Sequence, residues 1–524
     1  MTYIPADYTA ETRAALAVLM DTDAYKLDHR RQYTTGTQFV YSNLTARSSR
    51  IPDLDWTVFF GLQAYLLDLT ERWDRFFTAD IDAVCRAYEE RVTDIVGPNG
   101  VGSEHIRELH SYGRLPLRFR ALPEGTVTPI GIPYLTVENT DERFFWLTNY
   151  IETDMSAALW QPITSATIAW RNRCLLDARA IASGADTAAV DWQGHDFSAR
   201  GMAGMAAAAA SGAAHLLSFT GTDSLSALGW IDRFYPGSPA GTIIGGSVPA
   251  TEHSVMTAGG RDGELATFER LLDLYPTGIV SVVSDSFDLF QVLTEFLPQL
   301  KDKIMARDGK LVIRPDSGDP ELILCGDPAA AAGSPQRKGV INLLAETFGT
   351  TGPNAAGFKE LDPHVGAIYG DSITTERADS ITANLMRQGY ASTVPVFGFG
   401  SFTYQFVTRD TFSLAVKATW VQVDGQGRDI FKDPATGAGK RSAKGRLAVL
   451  GGMDGSLALV QQASADQEAN SRLRTVFDDG QFIAAGASLA DVRAQLRRSW
   501  MRHARTADTL EAAADMRPML AAGI

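Results

Sequence analysis

The chain has 524 residues, of which 45% are hydrophobic and 21% charged, with a net charge of −14. That length exceeds one ordinary core and predicts two domains, or one large barrel with attached elements. The acidic balance excludes general affinity for nucleic acid or anionic membrane, but not a small anionic ligand gripped by a local cluster of cations. Cys85, Cys174 and Cys325 are odd in number and far apart. They give neither a disulfide framework nor a zinc pattern, and point to a reducing cytoplasm.

The N-terminal stretch "MTYIPADYTAETRAALAVLM" carries acidic residues and has no basic start or continuous apolar run, so no secretory signal is expected. Residues before about 160 mix helical stretches ("RAALAVLM", "DIDAVCRAYEERVTDIV") with candidate strands ("QFVYSNLTA", "TVTPIGIPYLTVEN"). In "DTDAYK", Tyr25 lies near the N-terminus; in "DFSARG", Phe197 precedes Arg200 by three residues. A ring with a guanidinium nearby can stack on a flat heterocycle and bind its polar edge, although either segment alone is ordinary packing. "MAGMAAAAASGAAHLLSF", Met202 to Phe219, reads as a closely packed helix followed by a short strand, and is too rich in Ala, Gly and Ser for a membrane span.

From there a pattern recurs: a short apolar run ends in Gly, Ser, Asp or Arg, and a helix follows. Asp223 follows "HLLSFTGT"; Ser284 and Asp285 follow "GIVSVV"; Arg314 and Asp316 follow "KLVI"; Gly370 and Asp371 follow "VGAIY"; Gly398, Gly400 and Ser401 close "TVPVFGFGS". Runs apolar on both faces suit buried parallel strands. Polar groups at their C-terminal ends suit the mouth of a β/α barrel, where βα loops converge. An open doubly wound sheet is the other possibility, but no run opens a G-x-G-x-x-G loop. The expected architecture is an irregular TIM-like barrel over 161–399, with a smaller α+β domain built from 1–160 and 400–524. "CGDPAAAAGSPQRKG", Cys325 to Gly339, reads as a surface loop.

Several carboxylates in one mouth call for a cation or a hydroxyl-rich ligand: magnesium, or the diol of a sugar. Each Asp alone is equally a helix N-cap. Glycine turns at Gly370-Asp371-Ser372 and Gly398-Phe399-Gly400-Ser401 offer free N–H groups to phosphate. Basic residues gather as Arg47, Arg409, Lys417 and the loop "FKDPATGAGKRSAKGR", which holds Lys432, Lys440, Arg441, Lys444 and Arg446. Alone it is a solvated loop; beside glycine turns it suits a phosphate clamp. His253, in "GGSVPATEHSVMTAGG", is not part of an H-E-x-x-H zinc pattern, which leaves a general base or a phosphoryl-accepting nucleophile. His105 and His110 are five apart, off a common helical face, and have no assigned role.

These segments, together with "VYSNLTARSS", "TRDTFSLAVKA" and "LRTVFDDG", resemble in the same order those of the nicotinamide phosphoribosyltransferase family, of the type II phosphoribosyltransferases, along nearly the whole chain. The resemblance implies an α/β barrel core and a homodimer with shared active sites. It implies the reaction of nicotinamide with phosphoribosyl pyrophosphate to give nicotinamide mononucleotide and pyrophosphate, in NAD biosynthesis. It further implies coupling to ATP hydrolysis through a phosphorylated histidine at His253, with magnesium bound mainly through pyrophosphate. By the same resemblance Asp285 and Asp316 join His253 as catalytic residues, and Phe197, Arg200, Asp223, Tyr25 and Asp23 bind nicotinamide, Tyr25 from the other subunit. Ser247, Arg314, Gly370, Asp371, Gly400, Ser401, Arg47, Arg409, Lys417, Lys432 and Lys440 hold ribose and phosphates. The family's phosphate turn is a glycine run; Gly400-Ser401-Phe402 departs from it, and Phe402 is expected to narrow the turn. The competing functions are a nicotinate phosphoribosyltransferase, against which Asp223 speaks, and a non-catalytic binding or signalling protein, which has no need of a phosphorylatable His253.

Overall fold

The computed structural model describes residues 8–98, 100–431, 443–452 and 455–506. The chain forms two compact units, one from Met1–Thr164, Arg233–Ser238 and Thr408–Ala507, the other from Ser165–Asp232 and Pro239–Val407.

The first unit is built on a seven-stranded antiparallel sheet. Its order is Gln426–Asp429, Leu414–Val423, Thr37–Ala46, Pro133–Asn139, Leu117–Ala121, Arg474–Asp478 and Gln481–Phe482. The two longest strands, Thr37–Ala46 and Leu414–Val423, pair along their length, with Asn43 opposite Lys417. Helix Ile81–Val96 follows from the sequence directly. Asp80 accepts hydrogen bonds from Asp82 N and Ala83 N, a cap worth about 1 kcal/mol, and Gly97 ends the helix at φ 74°. Its buried residues Val84, Cys85, Tyr88 and Val92 recur at helical spacing.

The second unit holds a curled, wholly parallel sheet in the order Gly221–Thr222, Gly194–Asp196, Pro395–Phe399, Val365–Tyr369, Asp308–Arg314 and Thr277–Val283. Burial of successive residues, Val282 and Val283, Val312 and Ile313, Ala367 and Ile368, explains why these runs read as apolar on both faces. The two edges are joined by one segment, Gly246–Ala250. Gly246 bridges to Gly221 on one edge and Ala250 to Ser281 on the other, both in parallel. Thr222 N donates to Gly246 O at 2.9 Å and Ser281 N to Pro249 O at 2.9 Å. The sheet is thereby drawn into an irregular α/β barrel, and the segment that does it leads directly into His253.

Two sequence expectations fail locally. "HLLSF" is not a strand: helix Met205–His215 is followed by turn, and the strand is only Gly221–Thr222. Leu216, Leu217 and Phe219 are buried all the same, and an apolar run this short does not separate a helix end from a strand. Within the surface loop expected from Cys325 to Gly339, Ser334 caps a short helical turn from Pro335, and Gly339, at φ 77°, separates it from the helix that follows.

Candidate active site

Each barrel strand delivers a polar residue at its C-terminal end. Thr277–Val283 leads to Asp285, whose side chain is 7% exposed. Asp285 Oδ2 accepts from Asp316 N at 2.9 Å, while Oδ1 is buried without a hydrogen-bond partner among the described residues. Arg314 ends the next strand and donates to Thr251 O at 2.6 Å; its buried Nε also has no partner there. Burial pushes the Arg314 guanidinium down from its usual range, against the pull of Asp316 and Asp223. Burial likewise raises the Asp316 carboxyl; Arg314 opposes this, and the neighbouring charges of Asp285 and Asp371 add to it. This end of the mouth is therefore electrostatically unfinished.

His253 opens the short helix His253–Thr257. Its Nδ1 lies 3.1 Å from Ser286 Oγ, and its Nε2 lies 4.0 Å from Asp285 Oδ1 and 3.9 Å from Asp316 Oδ2. The imidazole is half exposed. Glu252, its neighbour in sequence, accepts from the Ser254 hydroxyl instead.

The other end is built from Gly194–Asp196 and Gly221–Thr222. Phe197 lies against backbone: a Cβ on Gly398 would come within 2.4 Å of its ring, so only glycine fits there. Arg314 Cζ sits 5.9 Å from the centroid of the same ring. Asp223 Oδ1 lies 3.0 Å from His195 Nε2 and accepts from Ser247 Oγ at 2.5 Å. Burial pushes the Asp223 carboxyl up, but the hydrogen bonds from His195 and Ser247 and the charges of His195 and Arg314 outweigh it and hold it below the usual carboxylate range.

Phe197, Arg200, Asp223, Arg314, Asp316, Gly370, Asp371, Gly400 and Ser401 line one cavity of about 1020 Å³. Asp285, His253 and Ser247 touch its lining residues. Ser247, expected on ribose and phosphate, donates to Asp223. Phe402 does not close the turn beside it. Its ring stacks on Phe406 at 5.1 Å, and a Cβ on Gly400 would meet nothing within 4 Å.

The remaining candidates gather in the first unit. Tyr25 is 63% exposed, with its hydroxyl 3.4 Å from Asp23 Oδ2, which also accepts from Thr153 Oγ1 at 2.6 Å. Desolvation pushes the Lys417 ammonium down, and the nearby charges of Arg47, Lys26 and Arg409 add to the effect against Glu152. Arg47 Nε donates to Ser413 O at 3.1 Å. Lys432 and Lys440 lie outside the described residues. Two residues of the mouth escaped the sequence reading. Ser286 follows Asp285 directly, and His195 precedes Phe197 by two, the spacing that puts strand side chains on one face.

The model of the nicotinate phosphoribosyltransferase family matches residues 192–481, and that of the nicotinamide phosphoribosyltransferase N-terminal domain matches residues 17–119. The chain is 49% identical over 489 residues to the nicotinamide phosphoribosyltransferase of Acinetobacter baylyi, covering 90% of this chain and 96% of that one. It is 36% identical over 477 residues to that of Xanthomonas campestris pv. campestris, covering 89% and 95%. In fold it resembles human nicotinic acid phosphoribosyltransferase, with TM-score 0.54 and 17% identity over 92% of this chain and 94% of that one. With both family models matched in order, and with relatives this similar over nearly their whole length, the chain belongs to the nicotinamide phosphoribosyltransferases of the nicotinate phosphoribosyltransferase family.

Proposed function

We propose that this enzyme joins nicotinamide to phosphoribosyl pyrophosphate, forming nicotinamide mononucleotide and pyrophosphate in NAD biosynthesis. The observation that carries the choice of base is Asp223. Its carboxyl is held ionised beside the ring of Phe197. A carboxylate accepts a hydrogen bond from the amide NH₂ of nicotinamide and repels the carboxylate of nicotinate.

The pyridine nitrogen attacks the anomeric carbon, the bond from that carbon to the pyrophosphate oxygen breaks, and its electron pair leaves with pyrophosphate. No proton moves, so no strong base is required. Positive character at the anomeric carbon is favoured among Asp285, Asp316 and Asp371, and the phosphates by Arg314 and the turns at Gly370 and Gly400. Among the described residues no group of three or more metal-ligating side chains is present, so magnesium would be held through the substrate, with Asp285 Oδ1, buried without a hydrogen-bond partner there, and Asp316, raised by burial, as the carboxylates it would relieve. Carried mainly by pyrophosphate, the ion would draw charge off the leaving group.

His253 is the proposed phosphoryl acceptor from ATP. A ring nitrogen would bond to the terminal phosphorus as the bridging P–O bond breaks and ADP departs. Asp285 and Asp316, within 4.0 Å, would stabilise the positive ring. Tyr25 from a second copy would cover the open face of the base, for which its exposure suits it, with Arg47, Arg409, Lys417, Lys432 and Lys440 on phosphates. Three buried, unpaired cysteines agree with a cytoplasmic enzyme, and no described helix is long and apolar enough to cross a membrane.

The test is to supply magnesium, phosphoribosyl pyrophosphate and either base, with and without ATP, and to measure the mononucleotide. Turnover of nicotinamide, stimulated by ATP, is expected. Turnover of nicotinate alone would replace this reading with the second one, and no turnover of either base would favour a binding protein.

A further inference from the structure

His195 and Ser247 both reach the same oxygen of Asp223, Oδ1, and no hydrogen bond among the described residues reaches Oδ2. A carboxylate with one oxygen doubly engaged presents the other as its free acceptor. Because carboxylates only accept, His195 must donate from Nε2, whether its ring is neutral or protonated. The ring is held for this. It is 9% exposed, and its centroid lies 4.7 Å from that of Phe197. Its Nδ1 edge lies so close to Gly221 that a Cβ there would approach to 2.7 Å. His195 thus touches both parts of the base site, the stacking ring and the hydrogen-bonding edge, while Ser247 reaches Asp223 from the segment that joins the barrel edges.

We propose that His195 is the positioning residue of the base site: with Ser247 it pins Asp223 so that Oδ2 alone meets the ligand, and thereby sets the preference for a carboxamide over a carboxylate. The proposal rests on the functional reading above and adds a residue to it. His195 acts through Asp223, not on the reacting atoms.

The experiment compares wild type, His195→Leu, His195→Gln and Ser247→Ala by KM for nicotinamide, KM for phosphoribosyl pyrophosphate and relative turnover of nicotinate. His195→Leu removes a donor to a charged group, which should raise the nicotinamide KM about tenfold or more. The phosphoribosyl pyrophosphate KM should stay within about twofold and the preference for nicotinamide should shrink, because the loss is confined to the base site. His195→Gln keeps an N–H donor and should recover most of the loss. Ser247→Ala should move the same constant, less far. Both KM values rising together, or Gln behaving as Leu, would overturn the proposal. If Leu does not fold, the Ser247→Ala result decides: an unchanged nicotinamide KM refutes the shared pinning. Nitrogen NMR of ¹⁵N-histidine protein, assigned through His195→Gln, reads the tautomer without turnover. A proton on Nε2 is expected, and a neutral ring protonated on Nδ1 refutes the proposal even if the enzyme uses another base.

Discussion

The two ends of the barrel mouth are built on opposite principles. At the proposed base end Asp223, with 42% of its side chain exposed, is held below the usual carboxylate range and engaged by two donors before any ligand arrives. At the proposed sugar-phosphate end Asp285 keeps a buried oxygen without a hydrogen bond among the described residues, Arg314 a buried nitrogen, and Asp316 is pushed up by burial, with Asp285 and Asp371 adding to it. In the proposed reaction the first end would discriminate, because one carboxylate oxygen is already engaged and the other is left to the ligand. The second would react, because a ligand bringing cations, hydroxyls and phosphates would complete it. Such sites trade stability for function.

The contrast can be broken most severely at Asp285. Asp285→Asn should lower kcat/KM for phosphoribosyl pyrophosphate by about a hundredfold, the scale of losing one transition-state electrostatic contact, while nicotinamide binding, measured calorimetrically, changes little. A comparable loss of nicotinamide affinity would mean that the two ends are not separate. At His253, replacement by Ala should abolish ATP stimulation of mononucleotide formation. Stimulation equal to wild type would remove His253 from the phosphoryl step.

A smaller effect concerns stability. The Asp316 carboxyl has a raised pKa in the folded state, so its ionised form costs folding energy above that pKa, and the cost vanishes once pH falls below its unfolded value. Asp316→Asn should therefore raise the Tm of the ligand-free protein by about 1–2 °C at neutral pH, with the gain fading on acidification. A lower Tm at neutral pH would show that the carboxylate is compensated after all.

The chemistry of the mouth was legible in the sequence wherever an apolar run ended abruptly. Asp285, Arg314, Asp316, Gly370 and Asp371 all stand just past or at the end of strands whose burial on both faces left a continuous apolar signature. What brings those ends together was not legible. The closure depends on Gly246–Ala250, five residues with a proline and no periodicity, which make only isolated bridges. His195 was hidden for a related reason. Its partner Asp223 lies 28 residues away, just past a neighbouring strand, and only strand order makes them neighbours. "HLLSF" misled because Leu216 and Leu217 are buried in a turn, where composition matches that of a strand.

The central claim is that an ionised Asp223, pinned on one oxygen, selects a neutral amide. The direct measurement is the ratio of kcat/KM for nicotinamide to that for nicotinate, in wild type and in Asp223→Asn. Like-charge juxtaposition between Asp223 and a bound carboxylate predicts a wild-type preference for nicotinamide of about a hundredfold, falling toward parity in the variant. A wild-type ratio at or below one, or a ratio that Asp223→Asn leaves unchanged, would contradict the account.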